Sequence, residues 1–197
     1  MSTLPILMAQ ADDVVRDATW SPRWGWHDDH RAADRTPAYL PAVQQVRAEF
    51  KSLVIEIGAA ELLEGKCLQL GMGECNASHA VWGCLFSRVV TIDLRVFAVD
   101  QGSWLGGDVR KRSLWSAAAA YAPFDFLFID AGHRFEDAEA DHREYGALVR
   151  PGGIVAFHDA LKRPTYEEEI QVWRYLETLP NVNMIGDEVG VAWIVKA

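Results

Sequence analysis

Two apolar runs in this 197-residue chain each end in side chains that can exchange protons or grip a polar ligand. Phe126–Ile129 leads into Asp130 and, three residues on, His133, while Ile154–Phe157 leads directly into His158 and Asp159. Short, almost wholly apolar runs of this kind predict parallel strands buried on both faces. Ligands in open parallel sheets bind beyond the carboxyl ends of the strands. Asp130, His133, His158 and Asp159 are therefore expected to share one crevice, although up to 29 positions separate them.

The elements that must carry these residues can be read around them. Phe135, Ala138, His142, Tyr145 and Val149 recur three or four positions apart and predict one buried helical face, with Glu139 and Arg143 paired on the outer face. Pro151, Gly152 and Gly153 are expected to stop that helix. Beyond Asp159, Thr165 and Glu168 read as a capping box behind Pro164. Tyr166, Ile170, Trp173 and Leu176 then give the apolar stripe of a last long helix. AsnValAsnMetIleGly and GlyValAlaTrpIleValLys predict a terminal hairpin turning at Asp187–Gly190.

Upstream, two stretches compete to be the first strand and its glycine turn. LeuValIleGluIleGly, ending at Gly58, continues the helical stripe that opens at Pro37, whereas CysLeuGlnLeuGlyMetGly, Cys67–Gly73, stands alone as a strand and turn. A helix over about Asn76–Phe86 and the run ArgValValThrIleAsp follow it, placing Asp93 22 positions after Gly71. That spacing suits a glycine turn followed by an acid that binds a ribose diol. Asn76 stands where a dinucleotide fingerprint has its third glycine, so a pyrophosphate is a poorer fit than a nucleoside without phosphates. S-adenosylmethionine meets these terms, with its diol on Asp93 and its amino-acid tail at the glycine turn. The residues expected around it are Gly71, Met72, Gly73, Asn76, Ser78, Asp93, Leu94, Asp108, Val109 and Asp130. Asp108 ends a predicted third strand, Trp104–Val109, where it can reach an adenine amine, cap the following helix, or both.

Composition bounds the partners. The chain has 19 basic against 28 acidic residues, a net charge of −9, which argues against a nucleic-acid backbone or an anionic membrane and for a small molecule. Cys67, Cys75 and Cys84 are odd in number with no Cys-x-x-Cys spacing, so neither a disulfide framework nor a zinc site is indicated. No leader pattern and no membrane-length apolar run is seen, and a soluble cytoplasmic protein is expected. Half the residues are hydrophobic, enough for a single domain with a full core. Within it, residues 1–36 read as a lid-like segment, 37–60 as a flanking helix and 66–197 as the cofactor-binding sheet, with room left for a homo-oligomer. Trp20–His30 mixes tryptophans with acids and histidines. Trp24, Trp26, His27, Asp28 and His30 suit either an acceptor-binding lid or a surface segment tucked onto the core.

From Leu68 to Asp159 the sequence resembles the class I S-adenosylmethionine-dependent methyltransferases. PheIleAspAlaGlyHis and LeuValArgProGlyGlyIleValAlaPheHisAsp look most like the small family that includes cephalosporin-hydroxylase-like proteins and sugar or macrolide-sugar O-methyltransferases. It departs at Ala131 and Gly132, where glycine and aspartate are frequent. The resemblance implies an α/β fold, a Rossmann-like seven-stranded, mostly parallel sheet with helices on both faces and an antiparallel last strand. It also implies a divalent ion, usually Mg2+, for which Asp130, His158 and Asp159 are the candidate ligands, His158 standing also for hydrogen bonding or packing. The expected reaction is O-methylation of a small acceptor, a sugar or glycoside, with His133 taking the hydroxyl proton beside Asp130. Two rivals stand beside it, a cofactor-binding protein without turnover and a nicotinamide-dependent oxidoreductase.

Overall fold

The structure is a computed structural model that describes residues 65–71, 79, 82–83, 86–94, 103–186 and 189–197. The expectations for the lid, the Pro37 helix, Cys75, Cys84 and the turn at Asp187 lie outside the described residues. Among those described, seven strands form one sheet: β1 (Lys66–Leu70), β2 (Arg88–Asp93), β3 (Ser103–Gly106), β4 (Phe124–Ile129), β5 (Val149–His158), β6 (Asn183–Ile185) and β7 (Val191–Val195). Their order is β3-β2-β1-β4-β5-β7-β6. The first five pair in parallel, while β7 runs antiparallel to both β5 and β6, so the terminal hairpin and the antiparallel last strand are both present.

The apolar runs are buried on both faces, as their composition requires. Leu68, Leu70, Val90, Ile92, Leu127, Ile129, Val155 and Phe157 point to one core, which also takes Ala138, Tyr145, Val172, Tyr175 and Leu176 from the helices. The alternate residues Phe126 and Phe128 pack against Trp82 at ring-centroid distances of 5.1 and 5.2 Å on the other face. Cys67 is fully buried, which pushes its thiol well above the ordinary range.

Three α-helices have described bounds: α1 (Arg112–Ala119), α2 (Phe135–Gly146) and α3 (Val172–Leu176). Helix α2 buries Ala138 and Tyr145 as predicted, and His142 Nδ1 lies 2.7 Å from the Tyr175 hydroxyl. Its end differs from the expected one. Val149 is the first residue of β5 rather than the last on the helical face, and Pro151, Gly152 and Gly153 lie inside that strand. Past Gly146 the chain joins the sheet, where Val149 pairs with Phe124, and Lys196, just after β7, donates to the carbonyls of Gly146 and Ala147 at 2.9 and 3.3 Å. Arg143 pairs with the adjacent Glu144 at 3.4 Å in place of Glu139.

The last long helix is also corrected. Pro164–Tyr166 is a 3-10 turn with no side-chain cap, and the chain is helical again only over α3, so Thr165 and Glu168 form no capping box. Tertiary bonds break the helix: Gln171 N donates to the His133 carbonyl at 2.7 Å, tying the start of α3 to the loop after β4. The third strand ends at Gly106, two residues short of Asp108.

The sheet order reverses between β1 and β4, and there the two strand ends touch. Asp130 N donates to Leu70 O at 2.8 Å, and on the other side Gly71 N donates to Ile92 O of β2 at 2.8 Å. Gly71 sits at φ +74°, and a Cβ on it would lie 2.0 Å from the Asp130 carbonyl oxygen. Only glycine permits that approach.

Candidate active site

Beyond the carboxyl ends of β1, β2, β3 and β4 lies a cavity of about 410 Å³. Of the expected cofactor residues, Gly71, Asp93, Leu94, Asp108, Val109 and Asp130 line it. Met72, Gly73, Asn76 and Ser78 lie outside the described residues, as do the acceptor candidates Trp24, Trp26, His27, Asp28 and His30. Asp93 is the last residue of β2 and buried, and its backbone carbonyl accepts from Gly107 N at 2.7 Å, so the ends of β2 and β3 are pinned together. Leu94 beside it is exposed over most of its surface and offers an apolar edge at the cavity mouth.

Asp108 does not cap the next helix: α1 begins after Lys111, with no side-chain cap. Its carboxylate is gripped by Arg110 instead. Oδ1 accepts from Arg110 Nε at 2.9 Å and from Arg110 N at 3.0 Å, and Oδ2 accepts from Nη2 at 2.6 Å. The Arg110 hydrogen bonds hold the Asp108 carboxyl down at about 2.

The four residues expected to converge do so, with Asp130 and His133 lining the cavity and His158 and Asp159 set against them. His133 Nε2 is 3.1 Å from Asp159 Oδ2 and 3.7 Å from Asp130 Oδ1. His158 Nδ1 is 3.3 Å from Asp130 Oδ1 and 3.6 Å from Asp159 Oδ2. The second oxygen of Asp159 is in close contact with Arg163, a residue that carries no signal in the sequence. Asp159 turns at φ +54°, a left-handed conformation that aspartate tolerates better than most residues and that is often found where a site is built. Asp130, His133 and Asp159 each present a ligand atom within 4.8 Å of the others, an arrangement able to hold a metal ion. Two carboxylate oxygens and an imidazole nitrogen form a hard donor set with a borderline member, suited to Mg2+ or to a first-row divalent ion.

Electrostatics agrees with that donor set. Hydrogen bonds to Asp130 and then Asp159 push His133 up to about 10. For His158, burial works downward, but the Asp130 charge and the carboxylate hydrogen bonds outweigh it and lift the ring to about 10. Burial alone would raise both carboxyls, yet the two imidazoles hold Asp130 and Asp159 below the ordinary range. The crevice strongly favours positive charge.

A pH dependence of stability follows for the protein held in chelator. The imidazole pKa values are raised, so their stabilising contribution is complete below about 6.5 and is lost as pH rises towards 10. The carboxyl pKa values are lowered, so theirs is complete above about 4 and lost as acid protonates them. The urea midpoint is expected to fall between pH 6.5 and pH 10, and to fall less in His158→Gln. Equal slopes in the two proteins would show that the His158 contacts contribute nothing.

Asp137 and Asp141 on α2 also line the cavity and were not singled out from the sequence. Asp141 carried a signal nonetheless: it stands three residues after Ala138 and four before Tyr145, on the buried stripe. An acid at such a position needs an explanation.

Comparison with known proteins places this architecture. A family model described as a methyltransferase domain matches residues 88–160. Solved structures align with the described sheet: the MycE methyltransferase of the mycinamycin biosynthetic pathway, in complex with Mg and SAH, does so with a TM-score of 0.59 and 16% identity over 75% of this chain and 49% of that one. The fold is that of the class I S-adenosylmethionine-dependent methyltransferases. MycE bound to Mg, SAH and mycinamycin VI aligns with a TM-score of 0.53 and 16% identity, over 85% of this chain and 62% of that one. An O-methyltransferase from Bacillus cereus in complex with SAH shares the methyltransferase fold at a TM-score of 0.51 and 16% identity, over 97% of this chain and 91% of that one. This chain thus spans about half to three fifths of the length of the MycE chains. No curated protein sequence matches it significantly. Among the described residues no helix is long and apolar enough to cross a membrane.

Proposed function

We propose that this protein is a cytoplasmic O-methyltransferase that moves the methyl group of S-adenosylmethionine to a hydroxyl of a small acceptor, a sugar or glycoside, with help from a divalent ion. The observation that carries the reading is the placement of two acids and two imidazoles, at or just past the ends of β4 and β5, at a cavity that Asp93 also lines. The MycE structures, one in complex with Mg and SAH and one with Mg, SAH and mycinamycin VI, support a reading that brings an ion, the cofactor and a small molecule to one site.

Methyl transfer needs little covalent help, because the sulfonium already activates the methyl group. The hydroxyl oxygen forms a bond to the methyl carbon as the carbon–sulfur bond breaks, leaving a neutral thioether. The enzyme must align that attack and remove the hydroxyl proton. Asp93 would hold the ribose diol, and Gly71 would leave room for the tail of the cofactor. A divalent ion held by Asp130, Asp159 and either His133 or His158 would orient the hydroxyl and lower its pKa. With His158 completing that ligand set, the carboxylates would be drawn away from His133 and its ring would be left to take the proton. Trp24, Trp26, His27, Asp28 and His30 are proposed to close over the acceptor, the rings stacking on C–H faces and the polar groups binding hydroxyls.

A labelled-methyl screen over sugars, glycosides and phenols tests this. Label should appear in a sugar or glycoside, disappear with chelator, return with Mg2+, and drop at least about tenfold in a protein carrying both Trp24→Ala and Trp26→Ala, as expected when stacking worth about 1.4 kcal/mol is lost. Transfer to phenols alone would remove the sugar, and unimpaired transfer in the double variant would remove the lid.

A further inference from the structure

We propose that Asp141, rather than Asp108, accepts the hydrogen bond from the exocyclic amine of the cofactor's adenine. The inference rests on the S-adenosylmethionine reading and assigns the base-recognising residue within that same cavity. Strand topology nominates Asp108, which follows the third strand. Its carboxylate, however, is already occupied, with both oxygens bonded to Arg110 and Oδ1 bonded twice.

Asp141 is in the opposite condition. It faces the same cavity from α2, it is only 4% exposed, and its Oδ2 has no hydrogen-bond partner among the described residues. A buried acceptor left unsatisfied destabilises a fold, and native proteins retain few of them. Oδ2 is itself closed to water, so an entering ligand amine would satisfy it through a turn of the carboxylate about the Cβ–Cγ bond. The groups facing Asp141 are Asp137 on its own helix and Asp108 and Arg110 on the turn after β3. Burial first, then Asp137 and Asp108, raise its carboxyl to about 7, so the site disfavours a bare negative charge and welcomes a donor. The neighbouring loop is fixed, since the Tyr145 hydroxyl donates to Val109 O at 2.6 Å, and so the acceptor and the cavity wall keep their spacing.

The test compares S-adenosylhomocysteine with its 6-deamino analogue, in which hydrogen replaces the amine, by calorimetry at neutral pH. The wild-type protein should prefer the amine-bearing ligand by tenfold or more. Asp141→Leu should bind both equally, Asp141→Asn should keep the preference through its amide oxygen, and Asp108→Ala, which removes the rival acceptor outright, should keep it as well. In the wild-type protein alone, the preference should grow as pH rises through 7, because an ionised carboxylate is the stronger acceptor, and it should be flat in Asp141→Asn. Loss of the preference in Asp108→Ala, its survival in Asp141→Leu, or a pH-independent wild-type ratio would overturn the assignment while leaving the cofactor reading intact. Failure of the wild-type protein to bind S-adenosylhomocysteine would instead remove the cofactor reading and this inference with it.

Discussion

Replacing Asp159 by Asn should lower methyl transfer by at least about 100-fold, on the scale of losing a positioned base or a bound Lewis acid. Asn keeps the volume of Asp and tolerates the left-handed backbone at φ +54°, so the change removes charge with little strain. Asp159 is buried and in contact with His133, His158 and Arg163, so its charge organises the whole cluster. It is not among the residues lining the cavity, unlike Asp130 and His133. Affinity for S-adenosylhomocysteine should therefore stay within a few-fold of wild type while turnover collapses and the response to chelator disappears. A variant that keeps full, chelator-sensitive activity would exclude Asp159 as a ligand. Some loss of stability is also expected, because Arg163 and the two imidazoles lose a buried partner.

Gly71→Ala should unfold the site altogether. The added Cβ would meet the Asp130 carbonyl oxygen at 2.0 Å, its carbon at 2.6 Å and Ala131 Cα at 2.8 Å, all of them backbone atoms that cannot rotate away. The left-handed conformation adds roughly 1–2 kcal/mol. Forcing β1 and β4 apart costs more, and a total of about 3 kcal/mol or more is expected. For a domain of this size that lowers Tm by roughly 10 °C. Gly152→Ala is the control. Its φ is +75°, nearly the same, but the nearest atom to its Cβ is the flexible end of Arg150 at 3.5 Å. A difference between the two melting temperatures measures the β1–β4 contact itself, and equal losses would mean that backbone conformation explains both. Because Asp130 moves with β4, cofactor and metal binding should fail together in Gly71→Ala.

Much of this protein is determined by its sequence alone. Doubly buried strands demand uninterrupted apolar runs, so β1, β2, β4 and β5 could be found from Leu68, Val90, Phe126 and Ile154 and their neighbours, and the residues after them had to face the same sheet edge. That is why Asp93, Asp130, His133, His158 and Asp159 could be named without coordinates. The 22-residue step from Gly71 to Asp93 and the terminal hairpin are also local properties of spacing and turn chemistry. Tertiary structure decided what depends on distant partners. Val149 pairs with Phe124 in the sheet although its spacing is helical, and Lys196 binds the end of α2 from 50 residues away. Gln171 is drawn to the His133 carbonyl, which breaks a helix that the apolar stripe would have continued. Arg110 and Arg163 occupy Asp108 and Asp159 through side-chain reach that no periodicity encodes. Asp141 shows the division most plainly: its helical phase was written in the chain, but its lack of a partner beside an open cavity emerges only when α2 and the turn after β3 are brought together, because satisfaction of a buried polar group is a property of everything around it.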